Sequence, residues 1–567
     1  MNIIQRPHVD DSCLASVVPD PILRQILAAR GITTVQEIDP DLKHLLHYRD
    51  LQDIDKAATL LADAVMAKKA IRVMGDYDVD GMTGTALGVR CLQAMGLERT
   101  KISYHVPSRY DDGYGLSCKM VEQAKADGVE LILTVDNGIG CHDSVARAKE
   151  LGLLVVVTDH HEPGENLPPA DAVVNPKRHD DNFASKCLCG VGVLFYVMIA
   201  LRATLAARGY FSAARPAPIL GQFLDLVAIG TIGDVVPLDA NNRRLVRAGL
   251  KRMQALSAQP GVVALAEIAR VNLRTLSTYN IAFDLCPRLN AAGRLKLPDN
   301  PAVACLMTDD SVAARDLALR LDMCNRRRGD YEKVFLAEAK ADAAASVQQH
   351  ALTVFRPQWL EGIAGLIASR LKDQYNRPCF VFAGTGETIT GSARSVPGFP
   401  LAKVLADIDA AHPGLLLRCG GHNMAAGATI PVARLEEFRS LFDESAAQYL
   451  KEHSELEIMS DGTLPEGYLN LNFARALERV GPWGQGFPEP LFDGEFLLEQ
   501  VRLLGNRNLR LRLAASHLHF SAIRFRATAL EKSLLEGIRV RMVYSLGVDR
   551  YYPNERLEVK VHAIEPV

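Results

Sequence analysis

Hydrophobic and polar positions divide the chain into stretches of different period. Residues 1 to about 68 carry a mixed, helix-like pattern. Short apolar runs then begin at Ala70–Met74, Lys101–Val106, Leu131–Val135 and Leu153–Thr158, with helical stretches such as Thr83–Met95 between them. Strands that alternate with helices predict an α/β domain built on a parallel sheet. Such sheets hold ligands beyond the carboxyl ends of their strands. Residues 219–256 read as helix interrupted at Gly233–Leu238. Residues 311–350 contain no proline and one glycine, and read as one long connector helix. From 351 to 450, short β runs (Leu352–Phe355, Cys379–Phe382) alternate with helices again, which predicts a second α/β domain. Beyond about 455 the runs Glu495–Leu504, Leu509–Leu513 and Leu557–Ile564 fit a small β-barrel. The expected plan is a helical segment at 1–67, a first α/β domain at 68–310, the connector at 311–350, a second α/β domain at 351–452 and a barrel at 453–567.

Composition sharpens this picture. At roughly 150 residues per domain, 567 residues make three or four domains. The 64 basic and 67 acidic residues leave a net charge of -3, which argues against a protein that coats nucleic acid by bulk charge. A local basic channel is compatible with it, because binding depends on where the charges sit. Eleven cysteines without a Cys-x-x-Cys pair argue against a zinc ribbon and fit reduced thiols. Met1–Asp10 lacks the apolar core of a secretory signal. Cys187–Leu201 is uncharged for 15 residues before Arg202, short of the roughly 20 a membrane span needs. It reads as a buried helix, and a cytoplasmic protein is expected.

The chemistry gathers at the ends of the predicted strands. Gly75-Asp76-Tyr77-Asp78-Val79-Asp80-Gly81, Thr134-Val135-Asp136-Asn137-Gly138 and Thr158-Asp159-His160-His161 each end a run, and a further acid, Asp234, stands in Gly233-Asp234-Val235-Val236-Pro237. One aspartate after a strand is ordinarily a turn or helix cap. Parallel strands, however, would bring Asp78, Asp80, Asp136, Asp159, His160, His161 and Asp234 to one rim. Carboxylates crowded together cannot all stay ionised without cations. Carboxylate with some imidazole suits two divalent cations, Mn²⁺ or Mg²⁺, which can make a water nucleophile and stabilise a phosphoryl transition state. For Asp76 a capping or orienting role is open, and Asp159 has the alternative of orienting a ligand histidine.

These motifs, in this order and together with Gly-Asp-Val-Val-Pro-Leu, resemble the DHH phosphoesterase superfamily. More narrowly the chain resembles the RecJ family of single-strand-specific exonucleases. The narrower resemblance is carried by Val106–Leu116, Pro287-Arg-Leu-Asn-Ala-Ala-Gly-Arg294, Gly391–Ser395, Gly420–Gly427 and Gly481–Phe487. It implies a DHH domain, a connecting helix, a DHHA1 domain and a C-terminal OB-fold. It also implies that Asp80, His160 and Asp234 hold one metal, that Asp78 holds the other and that Asp136 bridges them. His161 would face the scissile phosphate, and His422 would reach the same phosphate from the second domain. The implied activity is 5′-to-3′ hydrolysis of single-stranded DNA in repair and recombination by a monomer, with a single-strand-binding protein and a helicase as partners. The chain departs from the family pattern at Leu360, Ala393, Asn423 and Leu297-Pro298, all outside the metal motifs.

Other residues offer contacts to a strand. Tyr77, Arg109, Tyr110 and Tyr114 lie close to the expected rim, where cations pair with phosphates and aromatics stack on bases or pack the core. Arg288, Ser392 and Arg394 are candidates for holding a terminal phosphate, against the alternative of surface ion pairs. Asn325-Arg326-Arg327-Arg328 is either a solvated helix face or a lining of the cleft between domains. Trp483 reads as an anchor at a domain junction. Two competing functions stand beside the exonuclease. One is another DHH-type phosphodiesterase acting on short oligonucleotides, cyclic dinucleotides or pyrophosphate, which would not need a third domain. The other is an inactive nucleic-acid scaffold, which would tolerate loss of the acids.

Overall fold

The computed structural model describes residues 1–297, 299–344, 349–450, 457–505, 507–550 and 554–567. Pro298, residues 345–348 at the end of the expected connector, and the expected boundary at 452–453 lie outside the described residues.

The N-terminal segment holds helices at Pro21–Ala28 and Ile54–Met66, but the chain opens on a strand, β1 (Asn2–Gln5). It pairs in parallel with Glu457–Ser460, more than 450 residues away, and no local pattern announces that pairing. The first sheet comprises β2 (Ile71–Met74), β3 (Ile102–His105), β4 (Leu131–Thr134), β5 (Leu154–Thr158) and β6 (Ala172–Val174), in the order β3-β2-β4-β5-β6 with all pairs parallel. β2 and β4 are buried at every position, which is why they read as short apolar runs; the one charged residue, Arg72 in β2, is paired with Asp127 at 2.7 Å. β6 is absent from the sequence reading; three residues carry no period.

The helix after β2 runs Val79–Ala94 rather than from Thr83. Asp78 sets its start by accepting the N–H of Asp80 at 2.9 Å and of Gly81 at 3.1 Å. The region expected as interrupted helix forms Leu224–Gly233 and Ala240–Gln254, the second capped by Asp239. Gly190–Ala207 is long and apolar enough to cross a membrane by length and composition. Two-thirds of it (67%) is buried, and it packs on the Ile54–Met66 and Val79–Ala94 helices, so its hydropathy is that of a core helix.

The connector is a single helix over Ser311–Ala344, about 50 Å long at 1.5 Å per residue. The second sheet contains β7 (Leu352–Arg356), β8 (Cys379–Ala383), β9 (Thr388–Arg394), β10 (Arg418–His422) and β11 (Ala425–Pro431), in the order β10-β11-β9-β8-β7. Only β7 and β8 run parallel, joined by the crossover helix Glu361–Tyr375, so this sheet is mixed. After β12 (Glu457–Ser460), the strands β13 (Phe492–Leu504), β14 (Asn508–Ala515), β15 (Leu518–Arg524), β16 (Arg539–Asp549) and β17 (Arg556–Pro566) close into a five-stranded barrel, the architecture of an OB-fold. The barrel core, with Phe492, Leu511 and Tyr544, is continuous with the core of the first domain. Trp483 sits at that junction. It stacks on Phe487 at 4.9 Å, donates from Nε1 to the Leu477 carbonyl, and its own carbonyl accepts the Thr278 hydroxyl.

Candidate metal centre

The carboxyl ends of β2, β4 and β5 meet at one rim. Asp80 stands in the first turn of the Val79–Ala94 helix and Asp136 directly after β4. Asp136 has φ +63°, the left-handed region that Asp and Asn tolerate better than most residues. Gly190 packs against it so closely that a Cβ there would lie 2.5 Å from the Asp136 Cβ. Asp159, His160 and His161 follow β5, and Asp234 caps the Leu224–Gly233 helix at its C-terminus.

His160 is the hub. Its Nε2 lies 3.0 Å from Asp136 Oδ1, 3.5 Å from Asp234 Oδ2 and 3.8 Å from Asp80 Oδ2. His161 Nδ1 lies 2.8 Å from Asp159 Oδ1 and 3.9 Å from Asp136 Oδ1. Among the described residues, three sets of donor atoms are close enough to hold a metal ion: Asp80, His160 and Asp234; Asp136, His160 and His161; and Asp76, Asp78 and Asp136. Asp159 belongs to none of them. Its carboxylate accepts the N–H groups of Ile139, His160 and His161 as well as the His161 ring nitrogen.

The electrostatics fit cation ligands. Burial, then the neighbouring acids, pushes Asp136, Asp234 and Asp76 well above the usual carboxylate range and Asp80 up to about 7. Burial lowers the His160 imidazole to about 3, so it is neutral and free to ligate. Burial alone would raise Asp159, but the hydrogen bond and charge of His161 bring it down to about 2. Burial would lower His161, yet the hydrogen bond and charge of Asp159 raise it. Asp76 Oδ1 and Asp234 Oδ2 are buried with no hydrogen-bond partner among the described residues. Orphaned buried oxygens of this kind call for a ligand, and a cation both satisfies them and relieves the mutual repulsion of the acids.

Where the second domain meets this rim, Arg109 and Arg294 of the first domain and Arg394 of the second form an arginine cluster. Arg294 donates to the Gly362 carbonyl at 3.0 Å, and the two segments touch so tightly that a Cβ on Gly362 would lie 2.4 Å from the Arg294 carbonyl oxygen. Burial, then the neighbouring Arg109 and Arg394, lowers Arg294 to about 10. Arg394 is lowered by burial and by Arg109. Arg109 Nε is buried without a partner among the described residues, while its guanidinium lies 4.1 Å from the Tyr77 ring centroid. Ser392 and Arg394 share one face of β9 and both approach Gly365. Three arginines crowded in this way form a ready anion site.

The structure places the remaining expected residues less uniformly. Arg288 is committed to Asp322 on the connector helix through Nε and Nη2, both at 3.0 Å, and donates from Nη1 to the Asp284 carbonyl. The basic run is largely paired as well, Arg326 with Asp322 and Arg328 with Glu332. Tyr114 is half exposed, but its hydroxyl turns inward to His161 and the Asp136 carbonyl. Tyr110 donates to the Arg294 carbonyl at 2.7 Å. His422 ends the exposed strand β10, near enough for its charge to depress His160. Leu360 caps the N-terminus of the Glu361–Tyr375 helix, and Asn423 accepts the Leu401 N–H on its carbonyl. Three residues escape the sequence reading. Arg294 is the last residue of the Pro287–Arg294 motif, and its position there is the available signal. Asn290 accepts the Val79 N–H at 3.0 Å and so fixes the loop that carries Asp78. Gly190 gives no signal, since its role is contact with Asp136.

Comparison with known proteins agrees with the domain plan. Residues 70–231 match the DHH family N-terminal domain, residues 347–448 the DHHA1 domain and residues 460–563 the RecJ OB domain. The single-stranded-DNA-specific exonuclease RecJ of Salmonella typhimurium is 40% identical over 100% of this chain and 99% of its own length, and that of Escherichia coli is 40% identical with the same coverage. RecJ from Thermus thermophilus, crystallised with Mn²⁺, superimposes with a TM-score of 0.83 at 31% identity, covering 100% of this chain and 79% of that one. A Mg²⁺ complex of the same protein gives a TM-score of 0.76 at 29% identity, covering 100% and 78%. The chain belongs to the RecJ family of single-stranded-DNA-specific exonucleases.

Proposed function

We propose that this protein hydrolyses phosphodiester bonds of single-stranded DNA, removing nucleotides from the 5′ end with the help of two divalent cations. The observation that carries the reading is the placement of a buried carboxylate–histidine cluster beside three arginines that lack carboxylate partners among the described residues. Asp80, His160 and Asp234 would hold one ion, Asp78 and Asp76 the other, with Asp136 between them. Bound Mn²⁺ or Mg²⁺ would supply a water nucleophile at neutral pH and neutralise charge on the phosphoryl oxygens.

The chain's own residues do the rest. Asp159 holds the His161 ring by its Nδ1, leaving Nε2 to face the scissile phosphate. His422 approaches the same phosphate from the second domain, and the two imidazoles share the stabilisation of developing charge. Arg109, Arg294 and Arg394, with Ser392, seat a terminal 5′ phosphate. A pocket that ends at a seated terminus fixes which end is cut. A narrow path between the two domains, beside the close contact of Arg294 with Gly362, would suit one strand and not a duplex. The barrel would hold the strand behind the cut, as OB-folds do. A monomer in the cytoplasm, with a single-strand-binding protein and a helicase as partners in repair and recombination, completes the reading.

Digestion of end-labelled single strands and duplexes with Mn²⁺ or Mg²⁺ tests it. The expected result is metal-dependent release of 5′ nucleotides from single strands alone. Release from the 3′ end first, or equal cutting of blunt duplex, would refute it.

A further inference from the structure

We propose that Tyr114 is a positioning residue whose hydroxyl holds the His161 ring in its working orientation, and that it is not a stacking surface for a base. This rests on the reading of His161 as the group that meets the scissile phosphate. The Tyr114 hydroxyl lies 3.2 Å from His161 Nδ1 and 3.4 Å from Nε2, and donates to the Asp136 carbonyl at 3.3 Å. Asp159 grips one nitrogen only, and a ring held by one hydrogen bond can still swing about it. The Tyr114 hydroxyl, 3.2 Å from the same Nδ1, is a second contact on the ring and limits that swing.

The loop that carries Tyr114 is shaped for this delivery. Gly113 and Gly115 have φ +82° and +74°, in the left-handed region. A Cβ on Gly115 would lie 3.0 Å from Cys141 Sγ. The Ser108 carbonyl accepts the N–H groups of Asp112 and Gly113, which closes the turn before the tyrosine. The ring is braced edge-on, by Tyr77 at 6.3 Å and 72° and by His161 at 5.8 Å and 81°. Arg109 in turn covers Tyr77, so the terminal-phosphate site and His161 are linked through two packed tyrosines. A base platform needs only a ring; the contacts to His161 Nδ1 and to the Asp136 carbonyl are made by the hydroxyl.

That difference gives the test. Single-turnover and steady-state hydrolysis of a 5′-phosphorylated single strand with Mn²⁺ is measured for wild type, Tyr114→Phe, His161→Ala and the double variant. Tyr114→Phe keeps the ring and is expected to lower kcat about tenfold, the lower end of what loss of an orienting partner costs, with KM and Mn²⁺ affinity unchanged. In the His161→Ala background the same change should add less than about twofold, because both act through one group. If Tyr114→Phe keeps full kcat while His161→Ala falls, the positioning role is overturned and the reading of His161 stands. If Tyr114→Phe raises KM at unchanged kcat, or its loss multiplies fully with that of His161→Ala, Tyr114 touches the strand directly and the proposal is wrong. Near wild-type turnover in His161→Ala would instead overturn the underlying reading of His161.

Discussion

The carboxylate of Asp159 holds His161 by its Nδ1 at 2.8 Å while also accepting three backbone N–H groups, so one buried acid fixes both the ring and the loop beneath it. Asp159→Asn keeps the volume but replaces one acceptor oxygen with a donor amide. It should lower kcat about 100-fold, the upper end of what loss of a partner orienting a site histidine costs, while Mn²⁺ affinity by calorimetry changes little. A parallel loss of metal binding would mean that Asp159 is itself a ligand.

His160 and His161 are neighbours in sequence with different surroundings. His160 Nε2 faces three acids, whereas His161 faces Asp159 and Tyr114. His160→Ala should weaken Mn²⁺ binding about 10- to 100-fold. His161→Ala should lower turnover about 100-fold at near-normal metal affinity, and His422→Ala should resemble it. Equal metal loss in the His160 and His161 variants would remove the distinction between them.

Asp136→Asn is the informative change at the centre of the cluster, because asparagine accepts φ +63° where alanine is strained. Hydrolysis should fall by about 100-fold or more. The metal-free protein should melt at a higher temperature than wild type, since one of several repelling buried acids is gone. A melting point below wild type in EDTA would contradict the repulsion.

The raised acids also set a pH dependence for the metal-free protein. Asp80 moves from an ordinary value of 3.8 to about 7 on folding. A group raised on folding gives stability that is complete below its unfolded value and is lost as pH climbs through the folded one. The apoprotein should therefore lose stability from about pH 4 to pH 7; Asp76, Asp136 and Asp234 act in the same direction, and the four acids outweigh His160, whose lowering to about 3 acts the other way below its ordinary 6.5. Melting curves with EDTA and with Mn²⁺ should separate as pH rises from about 5 to 8. A constant gap across that range would count against the cluster as the metal site.

The arginines divide by their partners. Arg394 and Arg294 lack a carboxylate among the described residues, while Arg288 is spent on Asp322. Arg394→Ala should reduce the preference for a 5′-phosphorylated over a 5′-hydroxyl strand about tenfold or more, the worth of a charge-assisted contact. Arg288→Ala should mainly lower stability, by about 1–3 kcal/mol, because it strips a partner from a buried acid. A larger loss of phosphate preference in the Arg288 variant would return that residue to the pocket.

The run of apolar and acidic residues along the chain is enough to define the layers and the candidate metal donors. Strands buried on both faces are mostly apolar, so β2, β4 and β5 stand out as runs, and acids placed at their ends have one rim to share. Asp78, Asp80, Asp136, His160 and His161 are legible for that reason, and Asp234, at a helix end, through its own motif. What spans long sequence separations is decided by the tertiary fold alone. The pairing of β1 with β12, the contact of Gly190 with Asp136, the diversion of Arg288 to Asp322 in favour of Arg294, and the turn of the Tyr114 hydroxyl toward His161 all depend on which surfaces meet. A local pattern encodes how a residue sits relative to its own strand or helix. Which partner consumes an arginine fork or a tyrosine hydroxyl depends on the close packing of distant segments, and that packing leaves no period in the chain.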